Sequence, residues 1–147
     1  MNIDAAIKHL DESAEHAATG RCARHVRQAL EAGGLDLTHH PFSAKDYGPT
    51  LLVSGYNKFF EFQQIGPASK GLDAGNVGIS HSANKANQEY IAKKGDVAVI
   101  QPYQGGDPNG HIAMYDGAQW VSDFKQQDMW GGPGYRKHKP SCIVYRP

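Results

Sequence analysis

The chain has 147 residues and a formal net charge of zero, with 15 lysines and arginines against 15 aspartates and glutamates. This length is typical of one domain with its own hydrophobic core. The neutral balance argues against a nucleic-acid partner, because neutralising phosphates requires a clustered excess of Lys and Arg. No apolar run approaches the roughly 18 residues of a membrane-spanning helix, so we expect no membrane partner.

The N-terminus and the cysteines indicate the cellular compartment. The first residues lack the basic start and apolar stretch of a secretory signal peptide, so we expect synthesis in the cytoplasm and signal-independent export. Two cysteines, Cys22 and Cys142, are too few for a disulfide framework. In a reducing compartment each is expected to be a free thiol, and their spacing gives no support to a bridge.

The N-terminal part of the chain, about 1–56, is predicted to be helical. Apolar residues recur at steps of three and four between Ile3 and Ala17, which places them on one face of a helix. A second helix is predicted from about Arg21 to Ala32, with Thr19 as its N-cap and Cys22 in its first turn. A short helix is predicted between Tyr47 and Val53.

The rest of the chain is predicted to be a loop followed by strands. Residues from about 63 to 90 are dense in Gly, Ser, Asn and Pro, which indicates a long irregular loop. The part from about 94 to 147 is predicted to be β, with strands at 96–100, 111–115, 119–124 and 142–145. The predicted fold class is therefore α+β, with N-terminal helices packed on an antiparallel β-meander.

Cys22 occupies a predicted position that suits chemistry. The first turn of a helix carries partial positive charge from unpaired N–H groups, and this charge stabilises a thiolate. Arg21 and Arg24 add positive charge nearby. Taken alone, Cys22 would be assigned to the core, where small cysteines are common. Cys142 lies in an apolar strand without such features and is assigned to the core.

His111 and Asp123 form the second candidate pair. His111 follows a Gly-rich loop and begins a strand, a position from which a side chain can reach into a cleft. If the hairpin loop has three residues, Tyr115 faces Gln119 and His111 faces Asp123. A two-residue loop would place Ser122 opposite His111 instead. We prefer the first register, because a carboxylate would fix the imidazole tautomer and favour its protonated form.

Three features follow one another along the chain: a Cys at a helix start, a Gly-Asp-plus-apolar strand from Gly95 to Val99, and a Gly-His-Ile-Ala strand from Gly110 to Ala113. In this order they resemble the NlpC/P60 and CHAP superfamily of papain-like cysteine peptidases and amidases, which cut peptidoglycan peptides. The resemblance covers about 19–124. The small size and the missing signal peptide also resemble the amidase effectors of type VI secretion systems, and phage lysis enzymes share both traits.

The resemblance implies a single catalytic domain over 1–147, of the papain-like NlpC/P60 type, that hydrolyses a peptidoglycan amide through a thioacyl intermediate. Cys22 takes the position of the nucleophile, and His111 that of the general base and then acid. Asp123 takes the position of the polar residue that orients the imidazole. No cofactor and no metal are implied. Two bonds stay open: D-Glu to diaminopimelate within one stem, or the D-Ala to diaminopimelate cross-link.

The resemblance also implies partners and a place of action. The substrate is expected to be the peptidoglycan stem peptide, reached in the periplasm of a target cell after export. A secreted toxin would require an immunity protein that blocks the cleft in the producing cell. The resemblance does not separate such a toxin from a phage lysis enzyme.

Four loop residues are candidates for substrate contacts. Asp46 and Tyr47 follow the Cys22 helix, and Asp46 could meet a charged group of a diaminopimelate-containing peptide. Tyr103 and Trp130 lie in Gly/Pro-rich loops and could form cleft walls. The alternatives are a solvated loop for Asp46 and aromatic rings that pin their loops to the core.

Two other classes of function remain as alternatives. A non-catalytic module that binds cell wall or a protein would explain loop aromatics without needing Cys22. A zinc hydrolase is the weaker alternative, because His25, beside two arginines on a helix, is expected to be exposed, and adjacent His39 and His40 would point apart. The ligand types available to it are Cys22, His25, His39, His40, His81, His111 and Asp123.

Overall fold

A computed structural model of the chain describes residues 1–63 and 90–147. The helices are α1 (Ile3–Ser13), α2 (Cys22–Ala32), α3 (Tyr47–Val53) and α4 (Pro133–His138), with a 3₁₀ turn at Ala44–Asp46. The strands are β1 (Asn57–Phe62), β2 (Val97–Ile100), β3 (His111–Tyr115), β4 (Trp120–Val121) and β5 (Cys142–Arg146). The α+β prediction is confirmed. Nearly all of the loop predicted at 63–90, including His81, lies outside the described residues.

The strands form one antiparallel sheet in the order β1-β5-β2-β3-β4. The predicted meander is found in β2-β3-β4, whereas β5 returns to lie between β1 and β2. Neither β1 nor α4 is anticipated in the sequence analysis. Within 1–63 and 90–147, none of the helices is long and apolar enough to cross a bilayer.

The sheet is buried on both faces at its centre, which explains the continuous apolar sequence of β2. The face towards the helices is packed with Leu10, Val26 and Leu30 against Val97, Val99, Ile112 and Met114. The opposite face carries Phe60, Ala98, Ile100, Ala113 and Cys142. Cys22 packs against the helix-side core and Cys142 lies in the other cluster, and both thiols are free.

The predicted register of the β3–β4 hairpin is wrong. Tyr115 pairs with Trp120 rather than with Gln119, and Met114 pairs with Val121, so the loop has four residues. The cause is the side chain of Asp116, whose Oδ1 accepts the backbone N–H groups of Ala118 and Gln119 at 2.8 Å each. These bonds stabilise a wider turn than the Asp-Gly pair alone suggests. His111 therefore does not face Asp123 across the ladder.

A buried ion pair joins the two central strands. Asp96, fully buried at the start of β2, accepts two hydrogen bonds from the guanidinium of Arg146 at 2.7 and 2.8 Å. Its Oδ2 also accepts the Tyr90 hydroxyl at 2.7 Å and the Lys93 N–H at 2.9 Å. The guanidinium lies 3.5 Å from the ring centroid of Phe59 on β1. One carboxylate thus holds β5, β2 and the chain that enters β2.

We predict that Asp96→Ala lowers the free energy of unfolding by about 3–5 kcal/mol, because it leaves the Arg146 charge without its partner. Urea denaturation at pH 7 measures this change. The matched control is Asp4→Ala, which removes an exposed carboxylate paired with Lys94 at 2.8 Å and should cost less than about 1 kcal/mol. Equal losses in the two variants would contradict the role assigned to Asp96.

Candidate active site

Cys22 is the first residue of helix α2 and lines an open cleft of about 270 Å³. Three segments supply the lining: 20–27, 40–47 and 107–110. The first contains the start of α2, the second leads into α3, and the third is the loop that enters β3. The cleft therefore forms where the first turn of α2 meets the loop that enters β3.

The chain leading into α2 is fixed by Asp123, which is 1% exposed. Its Oδ2 accepts the backbone N–H and the hydroxyl of Thr19 at 2.6 and 2.8 Å, and the backbone N–H of Arg21 at 3.2 Å. Its Oδ1 accepts the Ser122 hydroxyl at 3.0 Å. Although burial opposes ionisation, these bonds keep the pKa of Asp123 below its usual value. Arg21, and not Thr19, is the N-cap residue, and its side chain makes no capping bond.

The imidazole of His111 is bound by Gln126, a residue that the sequence analysis does not single out. The distance between His111 Nε2 and Gln126 Oε1 is 2.6 Å. Gln126 Nε2 donates to the carbonyls of Asp128 and Met129 at 2.9 and 3.3 Å, which fixes the amide with its oxygen towards the imidazole. Nε2 of His111 must therefore carry the proton, and Nδ1 is the basic nitrogen.

A glycine makes room for this pair. Gly131 has a φ of +81°, and a Cβ there would lie 2.8 Å from His111 Nε2 and 3.1 Å from Gln126 Cδ. Asp123, the orienting residue expected from the sequence, forms no hydrogen bond with His111 in the described part of the chain, because its oxygens accept donors from Thr19 and its neighbours. The amide of Gln126 occupies the position expected for that carboxylate.

Burial controls the charge state of both candidate groups. Loss of hydration raises the pKa of the Cys22 thiol to about 11, although backbone hydrogen bonds from Ile112 and Ala23 favour the thiolate. Burial likewise lowers the pKa of His111 below 6.5, against the opposing bond to Gln126. Both groups are therefore uncharged at neutral pH. The low thiol pKa and the protonated imidazole expected from the sequence are not found, because desolvation outweighs the favourable dipoles.

Shared neighbours relate Cys22 to His111. One of the two backbone hydrogen bonds to the sulfur comes from Ile112, the residue that follows His111 on β3. The charges of Asp107 and Asp123 act on the pKa of both groups. The ring of Tyr135 lies 5.7 Å from the imidazole centroid, and its pKa is raised by burial and by the charges of Asp107 and Cys22. The thiol and the imidazole thus share one electrostatic environment.

Of the predicted substrate contacts, Tyr47 belongs to the cleft lining, although its side chain is nearly buried. Asp46 is exposed and does not contribute to the lining. Tyr103 packs against His138 and Tyr135 at 4.5 and 4.9 Å between ring centroids. Trp130 packs against Phe62 in the core cluster of the opposite sheet face. Tyr103 and Trp130 hold loops in place and do not line the cleft.

The structure changes one assignment made for the zinc alternative. His25 is buried rather than exposed, and its ring nitrogens lie 3.1 Å from the carbonyl of Arg21 and 3.5 Å from Glu15. Across 1–63 and 90–147, no group of three His, Cys, Asp or Glu side chains is arranged to hold a metal ion. His81, which belongs to the proposed ligand types, is outside these ranges.

The fold and the site define a small α+β protein in which a cysteine at the start of a helix lines an open cleft and a histidine begins an inner strand of an antiparallel sheet. No protein-family model and no curated protein matches the chain. Two crystal structures are similar to it, both of the type VI effector–immunity complex Tae3–Tai3 from Ralstonia pickettii.

The selenomethionine form is 36% identical, covering 97% of this chain and 99% of the other, with a TM-score of 0.72. The native form is 35% identical, covering 99% of this chain and 98% of the other, with a TM-score of 0.74. The chain therefore belongs to the Tae3 family of type VI effectors.

We predict that Asp123→Asn lowers the free energy of unfolding by about 2–3 kcal/mol at pH 7, since hydrogen bonds to a charged acceptor are lost. Because the folded-state pKa is depressed, this stabilisation is present above about pH 4, the usual aspartate pKa, and is lost as pH falls through the folded value. Urea denaturation at pH 7 and pH 3 tests both statements, with the exposed Glu12→Gln as control. A difference from wild type that is equally large at pH 3 would contradict this assignment.

We also predict that Gln126→Ala releases the imidazole of His111 from a single tautomer. In wild type at pH 7.5, ¹⁵N NMR should show a protonated Nε2 and an unprotonated Nδ1, whereas the variant should show exchange between tautomers. Gln127→Ala is the matched control, because this neighbouring glutamine is exposed. A mixture of tautomers already present in wild type would contradict the orientation given to the amide.

Proposed function

We propose that this chain is an antibacterial type VI effector that hydrolyses an amide bond in peptidoglycan stem peptides or their cross-links. Its membership in the Tae3 family supports the effector role. The observation that carries the chemistry is the orientation of the His111 imidazole, which Gln126 holds with Nδ1 as the basic nitrogen. The next residue along the strand, Ile112, donates its backbone N–H to the Cys22 sulfur. A thiol and a base in this relation suit nucleophilic catalysis.

The roles in this proposal follow the hydrogen bonds. Cys22 is the nucleophile and His111 is the general base and then acid. Gln126 replaces Asp123 as the residue that orients the imidazole. Asp123 instead positions the chain that delivers Cys22. We retain the papain-like NlpC/P60 type and a single catalytic domain over 1–147 as part of the proposal, supported by the order of the Cys helix and the His strand.

The reaction starts from an uncharged pair. As the Cys22 sulfur attacks the amide carbonyl, His111 Nδ1 accepts the thiol proton, and the backbone hydrogen bonds from Ile112 and Ala23 stabilise the developing negative charge on sulfur. The C–N bond then breaks and His111 returns the proton to the leaving amine, which gives a thioacyl enzyme. A water deprotonated by His111 attacks the thioester, releasing the acid product and restoring the thiol.

The oxyanion forms next to the start of α2. The first N–H groups of a helix have no partner within the helix. That of Ala23 already bonds the Cys22 sulfur, so we assign the N–H of Cys22 itself to the carbonyl oxygen that becomes negative. Arg21 makes no side-chain cap that would occupy these N–H groups. This arrangement supports amide hydrolysis because the charge of the tetrahedral intermediate develops at the helix N-terminus.

The partner and the place of action belong to the same proposal. The similar structures are of an effector bound to an immunity protein. We infer that this chain likewise has a cognate immunity protein in the producing cell and acts on peptidoglycan in the periplasm of a target cell. A cleft that opens beside Cys22 is a surface that such a protein could block.

Digestion of purified Gram-negative sacculi tests the proposal. Wild-type protein should release new muropeptides, and Cys22→Ala should lower the rate by at least about 10³-fold, because loss of the nucleophile removes the covalent route. Mass spectrometry of the products then identifies the bond that is cut. Cys142→Ala is the matched control, since it removes the other thiol from the opposite face of the sheet.

Each outcome has a definite meaning. Cleavage by wild type and Cys142→Ala but not by Cys22→Ala would support the mechanism. Equal cleavage by all three proteins would exclude Cys22 as nucleophile and favour the zinc alternative. No cleavage by folded, reduced wild type would contradict hydrolysis of intact sacculi and favour the binding module.

A further inference from the structure

Three arginines lie around the start of helix α2, one before Cys22 and two after it. Arg21 is the N-cap residue, Arg24 and Arg27 lie three residues apart on one side of the helix, and all three line the cleft that contains the thiol. Because the formal charge of the whole chain is zero, three arginines on one wall of one cleft are a local concentration of positive charge.

The three arginines differ in their partners. Arg27 is partly buried and lies 3.4 Å from Glu31, which compensates its charge. Arg21 and Arg24 are exposed, and neither forms a salt bridge with any residue in 1–63 or 90–147. Two guanidinium groups in the cleft thus lack a carboxylate partner within the described part of the chain.

The rest of the lining does not neutralise this charge. Its carboxylate is Asp107, whose Oδ1 accepts the backbone N–H of Asn109 at 2.8 Å. His40 lies in the same lining, with Nδ1 3.0 Å from the carbonyl of Pro41. Among the described lining residues, two arginines without a carboxylate partner thus outnumber one aspartate, and an anionic ligand is favoured there.

We propose that Arg21 and Arg24 form a subsite for a free carboxylate of the substrate, a proposal that rests on the stem-peptide amidase function above. Peptidoglycan stem peptides carry free carboxylates beside their amide bonds, on the γ-linked D-Glu and on diaminopimelate. An arginine binds a carboxylate through two parallel N–H···O bonds, which fix orientation as well as charge. Arg21, Arg24 and Cys22 line the same cleft, so we expect the bound carboxylate to belong to a residue near the scissile bond.

The test compares synthetic stem peptides that differ only in charge. One peptide carries free carboxylates, and others carry a neutral amide at D-Glu or at diaminopimelate. Arg24→Gln and Arg21→Gln are compared with wild type. Lys8→Gln is the matched control, because it removes one positive charge from an exposed position on another helix.

We expect Arg24→Gln to lower kcat/KM on the acidic peptide by about 10- to 100-fold, mainly through KM, as for loss of a hydrogen bond to a charged group. On the peptide in which the recognised carboxylate is amidated, kcat/KM of wild type should fall by the same factor. Arg24→Gln should not lower kcat/KM on that peptide any further. Lys8→Gln should match wild type on every peptide. Wild-type rates that are equal on free and amidated peptides would overturn the subsite and leave the amidase function standing.

A binding measurement separates the subsite from the chemistry. Calorimetry with the Cys22→Ala protein should show binding of the acidic peptide that weakens about 10-fold or more when Arg24→Gln is added. If wild type cleaves no peptide but this difference is found, the subsite stands and the amidase function falls. If the affinity is unchanged by Arg24→Gln, the subsite is overturned whatever the cleavage result.

Discussion

The carboxylate of Asp123 is the constraint on which the site depends. It lies just beyond β4, yet it holds the chain before α2 through the N–H and hydroxyl of Thr19 and the N–H of Arg21. Its backbone carbonyl also accepts the N–H of Glu15 at 2.8 Å, in the connection between α1 and α2. A buried charge is tolerated only when donors surround it, so this cluster allows few other arrangements. The position of Cys22 is therefore set by the sheet as much as by its own helix.

The segment from Ser122 to Gln126 positions both sides of the candidate site. After Val121 the chain turns back, with Gln126 N–H donating to the carbonyl of Trp120 at 2.8 Å, and this turn carries the amide to His111. Asp123 thus positions the chain that carries the Cys22 thiol, and Gln126, three residues later, positions the imidazole that we propose as the base. A neutral amide fixes the tautomer without adding a negative charge beside the imidazole. Burial lowers the pKa of His111 against the effect of this bond, so the ring stays uncharged at rest.

Much of the fold could be predicted from local patterns, because apolar periodicity specifies the helix after Cys22 and the strand after His111. The partner of His111 could not be predicted in this way. Gln126 reaches the imidazole from a turn that follows β4, and the Asp116 side chain shifts the register of the β3–β4 hairpin by one residue. The raised pKa of the Cys22 thiol could not be predicted either, because a sequence pattern indicates the position of a residue in a helix but not how deeply its side chain is buried. Tertiary contacts decide each of these features.

The two sets of charges around Cys22 act on different species. The charges of Asp123 and Asp107 add to the desolvation that keeps the thiol protonated. The arginines of α2 face the cleft, where they act on an approaching anion. The free protein therefore holds little thiolate, and in the proposed mechanism ionisation accompanies attack on a bound carbonyl, when His111 accepts the proton. In such a site the reactivity of the cysteine depends on the alignment of the thiol with the substrate carbonyl and with the imidazole. The hydrogen bonds that position the thiol and the imidazole therefore matter more than the pKa of the thiol in the free protein.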